Sequence, residues 1–480
     1  MKQTDSQTRR AWLRATGMAA AGALARGDAL SAQPAKPNVL FITIDDLNDW
    51  VGCLGGHPQV KTPNIDCLAR RGVLFSNAHC QAPICNPSRV SFMTGLLPST
   101  SGAYQLAPDF RSAPELKDVV TIPQHFAAHG YQTYQAGKIF HGSYPDEVSF
   151  QNNGPRPGQG PRPKEKLNLP GEHPLWDWGP LFKNEEMGDH KVADWFLDEF
   201  PKMDRDKPFF FAVGFYRPHV PLFAPQEWFD MYPLEEVELP PMHAGDRDDL
   251  PEAGKKLTLG LPAPRHEWFI KNKKWKHAVQ AYLATVSFAD YQVGRLLDAL
   301  EASPHADNTV VVLLSDHGWH LGEKERWAKR SLWERSTQVP LIFSVPGGLT
   351  QATSAKPVGL VDVYPTLIEL CGLKQRPDLD GQSLKTLLGD PEATWARPAL
   401  TTFEKNNHAL RSEHFRYIRY ADGSEELYAH RGDPHEWTNL AAKAEHESVL
   451  KDHRRWLPAV SNDAIPGSVD SAAVRPANRR

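Results

Sequence analysis

The chain has 480 residues, of which 40% are hydrophobic and 23% are charged. This length exceeds one ordinary core and predicts a large domain with a smaller partner, and the composition is that of a soluble globular protein. The 54 basic and 58 acidic residues leave a net charge of −4, which excludes bulk attraction to nucleic acid or to an anionic membrane.

The first 32 residues have the pattern of an export signal. Arg9 and Arg10 are followed by bulky apolar residues, an apolar run extends from Ala15 to Ala25, and Ala32 ends a stretch of small residues. That run is too short to span a bilayer, and no later stretch reaches about 20 apolar residues. We therefore predict export by the twin-arginine machinery to a periplasmic or secreted location, without a membrane anchor; an ordinary basic tail is the alternative.

Apolar strands and helices alternate along the next part of the chain. A short helix is predicted to open at Thr62 and Pro63. The remaining predicted elements are strands over 38–44, 73–75, 132–136, 208–215, 308–314 and 341–343, and helices over 122–128, 277–301 and 361–371. This alternation predicts an α/β fold with a doubly wound, mostly parallel sheet. Two stretches rich in proline, 154–166 and 232–265, are predicted to be long loops over one rim of the sheet.

The pattern changes after about residue 388. Residues 408–420 and 425–428 are predicted to form two antiparallel strands joined by a turn at 421–424. The chain is therefore divided into four predicted parts. These are an export signal at 1–32, a large α/β domain at 36–388, a smaller C-terminal α+β subdomain with an antiparallel sheet at 389–462, and a loose tail at 463–480.

Acidic residues follow two of the predicted strands. Asp45 and Asp46 come after the first strand, and Asp316 and His317 follow a later one. In an open parallel sheet the carboxyl ends of the strands form the rim where ligands bind, so the two pairs are expected to meet. Three carboxylates without thiolate partners suit Ca²⁺ or Mg²⁺ better than zinc. An Asp-Asp pair after a strand is also a common helix N-cap, which remains an alternative.

A short motif begins at Cys85 and continues as Asn86-Pro87-Ser88-Arg89. Pro87 can start a helix whose N-terminal amides face an incoming anion. Arg89 in the first turn can fix a nucleophile by a charge-assisted hydrogen bond. A buried or disulfide-bonded Cys85 is the alternative. The pairing of the other four cysteines stays open; these are Cys53, Cys67, Cys80 and Cys371.

The Cys-x-Pro-x-Arg spacing resembles the maturation signature of the type I sulfatases of the alkaline-phosphatase superfamily. Three further motifs occur in the order of that family: Gly-Lys-Ile-Phe-His at 137–141, Arg-Pro-His-Val-Pro at 217–221 and Ser-Asp-His-Gly-Trp at 315–319. Each follows a predicted strand, and together they resemble the iduronate-2-sulfatase branch. The resemblance covers nearly all of the chain after the export signal.

The resemblance implies an alkaline-phosphatase-like fold, with a large, mostly parallel sheet between helices, and a sulfuric ester hydrolase acting on a sulfated carbohydrate. It also implies that a formylglycine-generating maturation enzyme oxidises Cys85. One hydroxyl of the hydrated formylglycine then attacks sulfur and displaces the alcohol. The other hydroxyl loses its proton and eliminates sulfate, a step that a plain Ser or Cys cannot perform.

The resemblance also assigns a metal site. The implied ligands of a calcium ion, preferred here over Mg²⁺, are Asp45, Asp46, the modified Cys85, Asp316 and His317. Many sulfatases have Asn in place of His317, and His is an unusual ligand for calcium. A hydrogen-bond donor is therefore the alternative role for His317.

Five further residues receive roles from the resemblance. Lys138 and Lys329 hold sulfate oxygens, and Arg89 supports the formylglycine. His141 contacts a formylglycine hydroxyl and helps expel sulfate, and His219 protonates the leaving sugar oxygen.

Two other functions remain open on sequence grounds. A phosphodiester or phosphonate monoester hydrolase of the same superfamily can share the nucleophile motif and the metal cluster. A catalytically silent carbohydrate-binding relative is the second alternative, although it need not keep Cys85, Arg89 and the acidic pairs together. His408 and Arg411 on the predicted C-terminal hairpin are candidates for reading the sugar, with ordinary surface charges as the alternative.

Overall fold

The computed structural model describes residues 36–142, 146–168, 175–258 and 263–469. The predicted export signal at 1–32 and the end of the predicted tail at 470–480 lie outside these residues. All described residues belong to one compact unit that begins at Lys36. Among them, the length and hydropathy needed for a membrane-spanning helix are not met by any helix.

The strands are numbered in chain order. They are β1 (Asn38–Ile44), β2 (Val73–Phe75), β3 (Ala78–His79), β4 (Gln132–Gly137), β5 (Asn152–Asn153), β6 (Trp178–Pro180), β7 (Phe209–Phe215), β8 (Leu222–Ala224), β9 (Thr309–Ser315), β10 (His320–Leu321), β11 (Trp327–Ala328), β12 (Leu341–Ser344), β13 (Ala352–Ser354), β14 (Val358–Gly359), β15 (Ala399–Thr402), β16 (His408–Arg411), β17 (Phe415–Arg419) and β18 (Glu425–Ala429).

The α-helices are numbered in the same way. They are α1 (Pro63–Arg70), α2 (Cys85–Thr94), α3 (Pro98–Ser101), α4 (Ile122–Ala128), α5 (Gly188–Glu199), α6 (Gln226–Asp230), α7 (Glu252–Thr258), α8 (His266–Lys271), α9 (Trp275–Glu301), α10 (Glu334–Thr337), α11 (Val363–Leu370), α12 (Lys385–Gly389) and α13 (Glu447–Arg454).

The central sheet has eight strands in the order β13-β2-β12-β9-β1-β7-β4-β5. Strand β12 runs antiparallel to its neighbours β9 and β2, and the other neighbouring strands are parallel. The predicted mostly parallel sheet is therefore confirmed. Its register places Ile44, the last residue of β1, opposite Phe215 of β7 and Ser315 of β9. The carboxyl ends of these three strands consequently lie at one edge of the sheet.

Both faces of the central sheet are covered by helices. In β1, Leu40 and Ile42 point into a core formed with α1, α5 and α9, because successive side chains of a strand alternate between faces. Val39 and Phe41 point into a second core formed with α2, α4 and α11. The continuous apolar sequence of β1 is thus explained by burial on both sides.

A second sheet, of four antiparallel strands β15 to β18, follows the central sheet in the chain. Helix α13 packs on one face through Leu450, next to Tyr417, and Trp333 packs on the other face. The prediction of a single strand over 408–420 is wrong, because β16 and β17 are separated by a tight turn. In this turn the Ser412 hydroxyl accepts a hydrogen bond from the Phe415 amide at 3.2 Å.

Two other parts of the chain are more ordered than predicted. The predicted loop at 232–265 contains α7 and a 3-10 turn at Leu234–Glu236. The described part of the predicted tail is packed rather than loose, since Ile465 is 5% exposed and its amide donates to the Gly102 carbonyl at 3.0 Å. All five cysteines are free thiols.

Candidate active site

The carboxyl edge of the central sheet gathers the chemically active side chains. Asp45 follows β1, Lys138 follows β4 and Asp316 follows β9 directly. His219 lies four residues after the end of β7, in a loop with cis peptide bonds before Pro218 and Pro221. The paired register of these strands brings residues that are far apart in the chain to one place.

Three buried carboxylates form the floor of the site. Asp45, Asp46 and Asp316 are each 0% exposed. Asp45 accepts hydrogen bonds from Arg89 Nη2 at 3.2 Å and from Lys138 Nζ. Burial and the neighbouring Cys85 act to raise the pKa of Asp45, but the charges of Lys138, His219 and Arg89 outweigh them and lower it. Asp45 is therefore a carboxylate in the folded protein.

Asp46 adopts a left-handed backbone conformation, with φ of 63°, which is uncommon for a residue other than glycine. The Tyr282 hydroxyl of α9 donates to the Asp46 carbonyl at 2.7 Å and accepts from the Asn48 amide at 3.0 Å. The Asp46 amide donates to Asp316 Oδ1 at 3.1 Å. These bonds hold the strained turn in place and aim the Asp46 carboxylate at the site.

Cys85 is the first residue of α2 and is 2% exposed. Lys329 Nζ, His317 Nε2 and Lys138 Nζ lie 3.1, 3.3 and 3.6 Å from its sulfur. Burial raises the pKa of the thiol, but the charges of Lys138, Lys329 and His317 outweigh it and hold that pKa well below its ordinary value. Residue 85 thus lies where the protein concentrates positive charge. The helix begins two residues before Pro87, which is tolerated in the first turn because its missing amide has no helical partner there.

Arg89 is fully buried and connects the strand ends. Its Nε donates to Asp316 Oδ2 at 2.8 Å, and its Nη1 donates to the carbonyls of Lys138 and Ile139 at 2.5 and 3.0 Å. Together with its bond to Asp45, the guanidinium uses its planar set of donors on three separate strand ends. Arg89 therefore orders the site rather than facing solvent.

Lys329 lies in a tight turn directly after β11. Its flanking residues Ala328 and Arg330 both have left-handed backbones, with φ of 70° and 75°. Arg326 donates from Nη2 to the Arg330 carbonyl at 3.1 Å and from Nε to the Lys329 carbonyl at 3.1 Å. The guanidinium of Arg326 thereby fixes the turn, and Lys329 Nζ reaches Asp46 Oδ1 at 2.6 Å.

The three histidines of the motifs lie around the same cluster. His317 Nε2 is 3.4 Å from Asp46 Oδ1 and 3.5 Å from Asp316 Oδ2. His219 Nε2 is 3.8 Å from Asp46 Oδ2 and 4.0 Å from Asp45 Oδ2. Burial lowers the pKa of His141 against the opposing effect of its hydrogen bond with Cys85. All three rings therefore border the position of the Cys85 side chain.

The donor set fits a divalent cation. One ligand atom from each of Asp45, Cys85, Asp316 and His317 lies within 4.8 Å of the others, and Asp46 belongs to an overlapping group with His219. The buried Oδ2 of Asp46 has no hydrogen-bond donor among the described residues. Such an orphaned oxygen is costly unless a cation satisfies it. Three carboxylates at one point suit a hard cation.

The structure brings together the ten residues to which the resemblance assigned a catalytic or metal-binding role. It adds Tyr282, Arg326, Ser88 and Ser315, which the sequence did not reveal. The Ser88 hydroxyl donates to the Asp316 carbonyl at 2.5 Å, and the Ser315 hydroxyl accepts from the Leu47 amide at 3.0 Å. Ser88 and Ser315 lie within the motifs at 85–89 and 315–319, and this position is the only sequence feature that points to them.

The two hairpin candidates do not reach this cluster. His408 is buried, and its Nδ1 lies 3.0 Å from the Thr402 hydroxyl. Arg411 pairs with Glu334, its Nε lying 3.2 Å from Oε2. The alternative of ordinary surface charges is wrong as well, because His408 and Arg411 are 6% and 8% exposed.

Comparison with known proteins agrees with this geometry. The sequence model of the sulfatase family matches residues 37–373, and that of the C-terminal part of N-sulphoglucosamine sulphohydrolase matches residues 322–463. A sulfatase of Formosa agariphila is 42% identical over 439 residues, which cover 88% of this chain and 86% of that protein. Iduronate 2-sulfatase of Homo sapiens is 33% identical over 396 residues, covering 71% and 70%.

A solved structure of an enzyme in complex with its substrate D-glucosamine-2-N,6-O-disulfate has a TM-score of 0.69 at 22% identity, covering 88% of this chain and 98% of that one. This likeness establishes the fold. The matches to the family model and to the curated relatives establish the family. The chain therefore belongs to the type I sulfatases of the alkaline-phosphatase superfamily, enzymes that hydrolyse sulfate esters.

Proposed function

We propose that this sulfatase removes sulfate from a sulfated carbohydrate, using a formylglycine at position 85 and a bound Ca²⁺. One observation carries the proposal. The side chain of residue 85 is buried between two lysines, Lys138 and Lys329, and against the three-carboxylate cluster. A nucleophile so placed meets an anionic group that both the lysines and a metal ion attract.

The class of substrate is supported by the relatives. The Homo sapiens relative is named for iduronate, and the solved enzyme binds a disulfated glucosamine. Both names describe sulfated sugars, whereas the family model alone specifies only a sulfate ester. A sulfated polysaccharide or one of its oligosaccharides is therefore the proposed substrate of this chain.

Asp45, Asp46, Asp316, His317 and residue 85 would hold the metal ion. When bound, Ca²⁺ supplies a Lewis acid that neutralises a sulfuryl oxygen. We favour Ca²⁺ over Mg²⁺ because a site built almost entirely of protein ligands suits calcium, whereas Mg²⁺ usually retains several waters.

The lysines act on the sulfuryl group. Their Nζ atoms flank Cys85 Sγ at 3.1 and 3.6 Å, so each is placed to pair with a different non-bridging oxygen. Carboxylate contacts with Asp46 and Asp45 hold the two ammonium groups in position before substrate arrives. A formylglycine hydrate supplies one hydroxyl for attack on sulfur and a second whose deprotonation releases sulfate.

His219 is the proposed acid for the leaving oxygen. Its Nδ1 lies 2.5 Å from the Val220 carbonyl, which requires a hydrogen on that nitrogen. The exchangeable proton is therefore on Nε2, the atom that faces the carboxylates of Asp45 and Asp46. A proton at this atom stabilises the alkoxide that develops as the sulfate ester breaks.

The proposal extends to maturation and location. A formylglycine-generating enzyme is the implied partner for residue 85, and the Arg9-Arg10 pattern is the basis for export by the twin-arginine machinery to the periplasm or beyond. N-terminal sequencing of the protein recovered from the periplasm should begin close to residue 33. A cytoplasmic protein with an intact N-terminus would contradict this part.

The first experiment is mass spectrometry of the peptide that contains residue 85, from protein made in a host with a maturation enzyme. A loss of about 18 Da relative to the thiol is expected, from exchange of the SH group and a hydrogen for an aldehyde oxygen. An unmodified thiol in active enzyme would contradict the proposed nucleophile.

Turnover provides the second experiment. The matured enzyme should hydrolyse 4-nitrophenyl sulfate much faster than the matching aryl phosphate or phosphonate ester, and Cys85→Ala should abolish this activity. Removal of divalent cations with a chelator should suppress turnover, and Ca²⁺ should restore it more fully than Mg²⁺. A preference for the phosphonate would instead favour the phosphoryl alternative.

A further inference from the structure

The loop at 101–109 forms a wall beside the nucleophile. Leu106 packs in one apolar cluster with Cys85, Ile84 and Ala82. The Asn86 side-chain amide, next to the nucleophile in the chain, donates to the Gln105 carbonyl at 3.0 Å. The backbone of Gln105 is therefore one hydrogen bond away from the residue that follows the nucleophile.

The hairpin between β15 and β16 meets this wall from the C-terminal subdomain. Its tip, 403–407, is closed by a hydrogen bond from the Phe403 amide to the Asn407 carbonyl at 3.0 Å. Glu404 and Asn406 have left-handed backbones, with φ of 58° and 66°. Strain of this kind persists only where surrounding structure holds it, and it is frequent at ligand-binding positions.

Side chains join the hairpin tip to the wall. The Gln105 amide nitrogen donates to Glu404 Oε1 at 3.3 Å. The carboxylate of Glu404 forms no ion pair with the described residues, whereas its neighbour Lys405 is paired with Asp463 at 2.5 Å. Glu404 is exposed and Gln105 is half-buried. The two polar groups thus belong to, or contact, the loop whose next residue, Leu106, packs in one cluster with Cys85, and no described cation pairs with the carboxylate.

The C-terminal segment, residues 462–469, supports both the wall and the hairpin tip. The Tyr104 hydroxyl donates to the Asn462 carbonyl at 3.0 Å, and Val469 exchanges backbone hydrogen bonds with Ala107. The wall, the hairpin tip and the C-terminal segment therefore form one supported rim. Because these three parts support one another, the side chains of the rim have a defined geometry, which is a requirement of a specific binding site.

We propose that Gln105 and Glu404 form the subsite that recognises free hydroxyl groups of the sugar that carries the sulfate. This inference rests on the proposed function and specifies the substrate: an uncharged, hydroxyl-bearing ring face at this position. A carboxylate accepts hydrogen bonds from hydroxyls strongly, and a primary amide both donates and accepts. A carboxylate on the sugar at the same position would be repelled by the unpaired charge of Glu404.

The test compares Glu404→Gln with the wild-type enzyme. Substrates are 4-nitrophenyl sulfate, which has no sugar hydroxyls, N-acetylglucosamine 6-sulfate, and a disaccharide with a 2-sulfated uronate. We expect the ratio of kcat/KM for N-acetylglucosamine 6-sulfate over kcat/KM for the aryl sulfate to fall at least about tenfold, which corresponds to about 1.4 kcal/mol. The ratio for the uronate should not fall.

Glu413→Gln is the matched control. Glu413 lies in the turn between β16 and β17, at the other end of β16, and its side chain is 44% exposed and pairs with Lys356 at 3.4 Å. The Glu413→Gln variant should have the same two ratios of kcat/KM as the wild-type enzyme. Thermal unfolding checks that the two variants remain folded, and Gln105→Ala should change the ratio in the same direction as Glu404→Gln.

The possible outcomes separate this inference from the proposed function. An equal loss on sugar and aryl sulfate, or no change in either ratio, would refute the subsite. Hydrolysis of the aryl sulfate without turnover of either sugar would refute it as well, and would leave the formylglycine mechanism intact. Lack of any sulfatase activity in protein that carries the aldehyde would instead refute the proposed function.

Discussion

Strain at single residues places the functional groups of this sulfatase. Asp46 and the two neighbours of Lys329 have backbone conformations that non-glycine residues rarely adopt. In each case a buried side chain holds the strained segment: Tyr282 from the distant helix α9 for Asp46, and the nearby Arg326 for the turn of Lys329. The protein thus maintains costly local geometry at the points where charge must be aimed accurately.

Tyr282→Phe tests this interpretation at Asp46. The change removes one hydroxyl and leaves the Asp46 carbonyl and the Asn48 amide without their partner. We expect kcat/KM to fall about 10- to 100-fold and the Ca²⁺ concentration for half-maximal activity to rise about tenfold, with a loss of about 1–3 kcal/mol of folding stability from the unsatisfied groups.

Tyr291→Phe serves as the control for that experiment. Tyr291 lies on the same helix but is 38% exposed, and its ring packs on Trp228. The Tyr291→Phe variant should have the same Ca²⁺ dependence of activity as the wild-type enzyme. If Tyr282→Phe lowers stability without any change in Ca²⁺ dependence, Tyr282 has a structural role alone.

At the scale of elements, the most predictable parts of the chain are those with strong local patterns. Strand β1 and helix α4 have the predicted bounds, because an apolar run and a Thr-x-x-Gln capping box define them locally. The turn at 412–414 was missed because it contains neither Gly nor Pro and depends on the hydroxyl of Ser412.

One helix is capped by another in a way that no local pattern reveals. Asp290, in the middle of α9, accepts hydrogen bonds from the Ile65 amide at 2.8 Å and from the Asn64 amide at 3.2 Å, at the start of α1. Thr62, the residue before α1, provides no side-chain cap. Burial raises the pKa of Asp290 to about 6 from an ordinary value of 3.8, despite these hydrogen bonds.

This shift predicts a pH dependence of stability. The folded state binds the proton of Asp290 more tightly than the unfolded state, so the contribution of this group falls as pH rises from about 4 to about 6. Asp290→Asn removes the titration. The free energy of unfolding of the variant, relative to wild type, should increase by about 2 kcal/mol between pH 4.5 and pH 7 in urea titrations. A constant difference across this range would contradict the assignment.

At the scale of the whole molecule, buried charges join the C-terminal sheet to the central domain. Arg416 of β17 pairs with Glu334 of α10 and, at 2.6 Å, with Glu436; His430 lies 3.1 Å from the same carboxylate. Burial raises the pKa of Glu334, but Arg411, His430 and Arg416 outweigh it and hold that pKa well below its ordinary value. Glu334, His430 and Glu436 are also close enough to hold a metal ion, but the guanidinium of Arg416 already supplies the positive charge.

Arg416→Met should destabilise the protein by about 3–5 kcal/mol, because it removes the buried guanidinium from Glu436 and leaves Glu334 with Arg411 as its remaining guanidinium partner. The measurement is the midpoint of thermal or denaturant unfolding. Arg419→Met, on the same strand but 39% exposed at its side chain, should cost less than about 1 kcal/mol. Equal effects of the two substitutions would show that the buried pairing is not important for stability.

The residues of the site could largely be predicted from the sequence, whereas the residues that hold them in place could not. Four short motifs contain seven of the ten residues of the cluster, and the pair Asp45-Asp46 after β1 and Lys329 complete it; most of these residues follow parallel strands, whose carboxyl ends share one edge. Tyr282 and Arg326 lie outside those motifs; the role of Tyr282 exists only after distant segments pack together, and that of Arg326 depends on a turn that has no sequence motif. The contribution of Glu404 was equally hidden, since the predicted hairpin at 408–428 did not include β15.

The bridge between Val469 and Ala107 has a consequence for the order of events during synthesis. The wall beside residue 85 leaves the ribosome well before the segment that braces it, which is far away in the chain. Until then the nascent chain cannot complete the enclosure that leaves Cys85 only 2% exposed. The growing polypeptide therefore leaves this thiol accessible for an interval that ends when the bracing segment has emerged and folded.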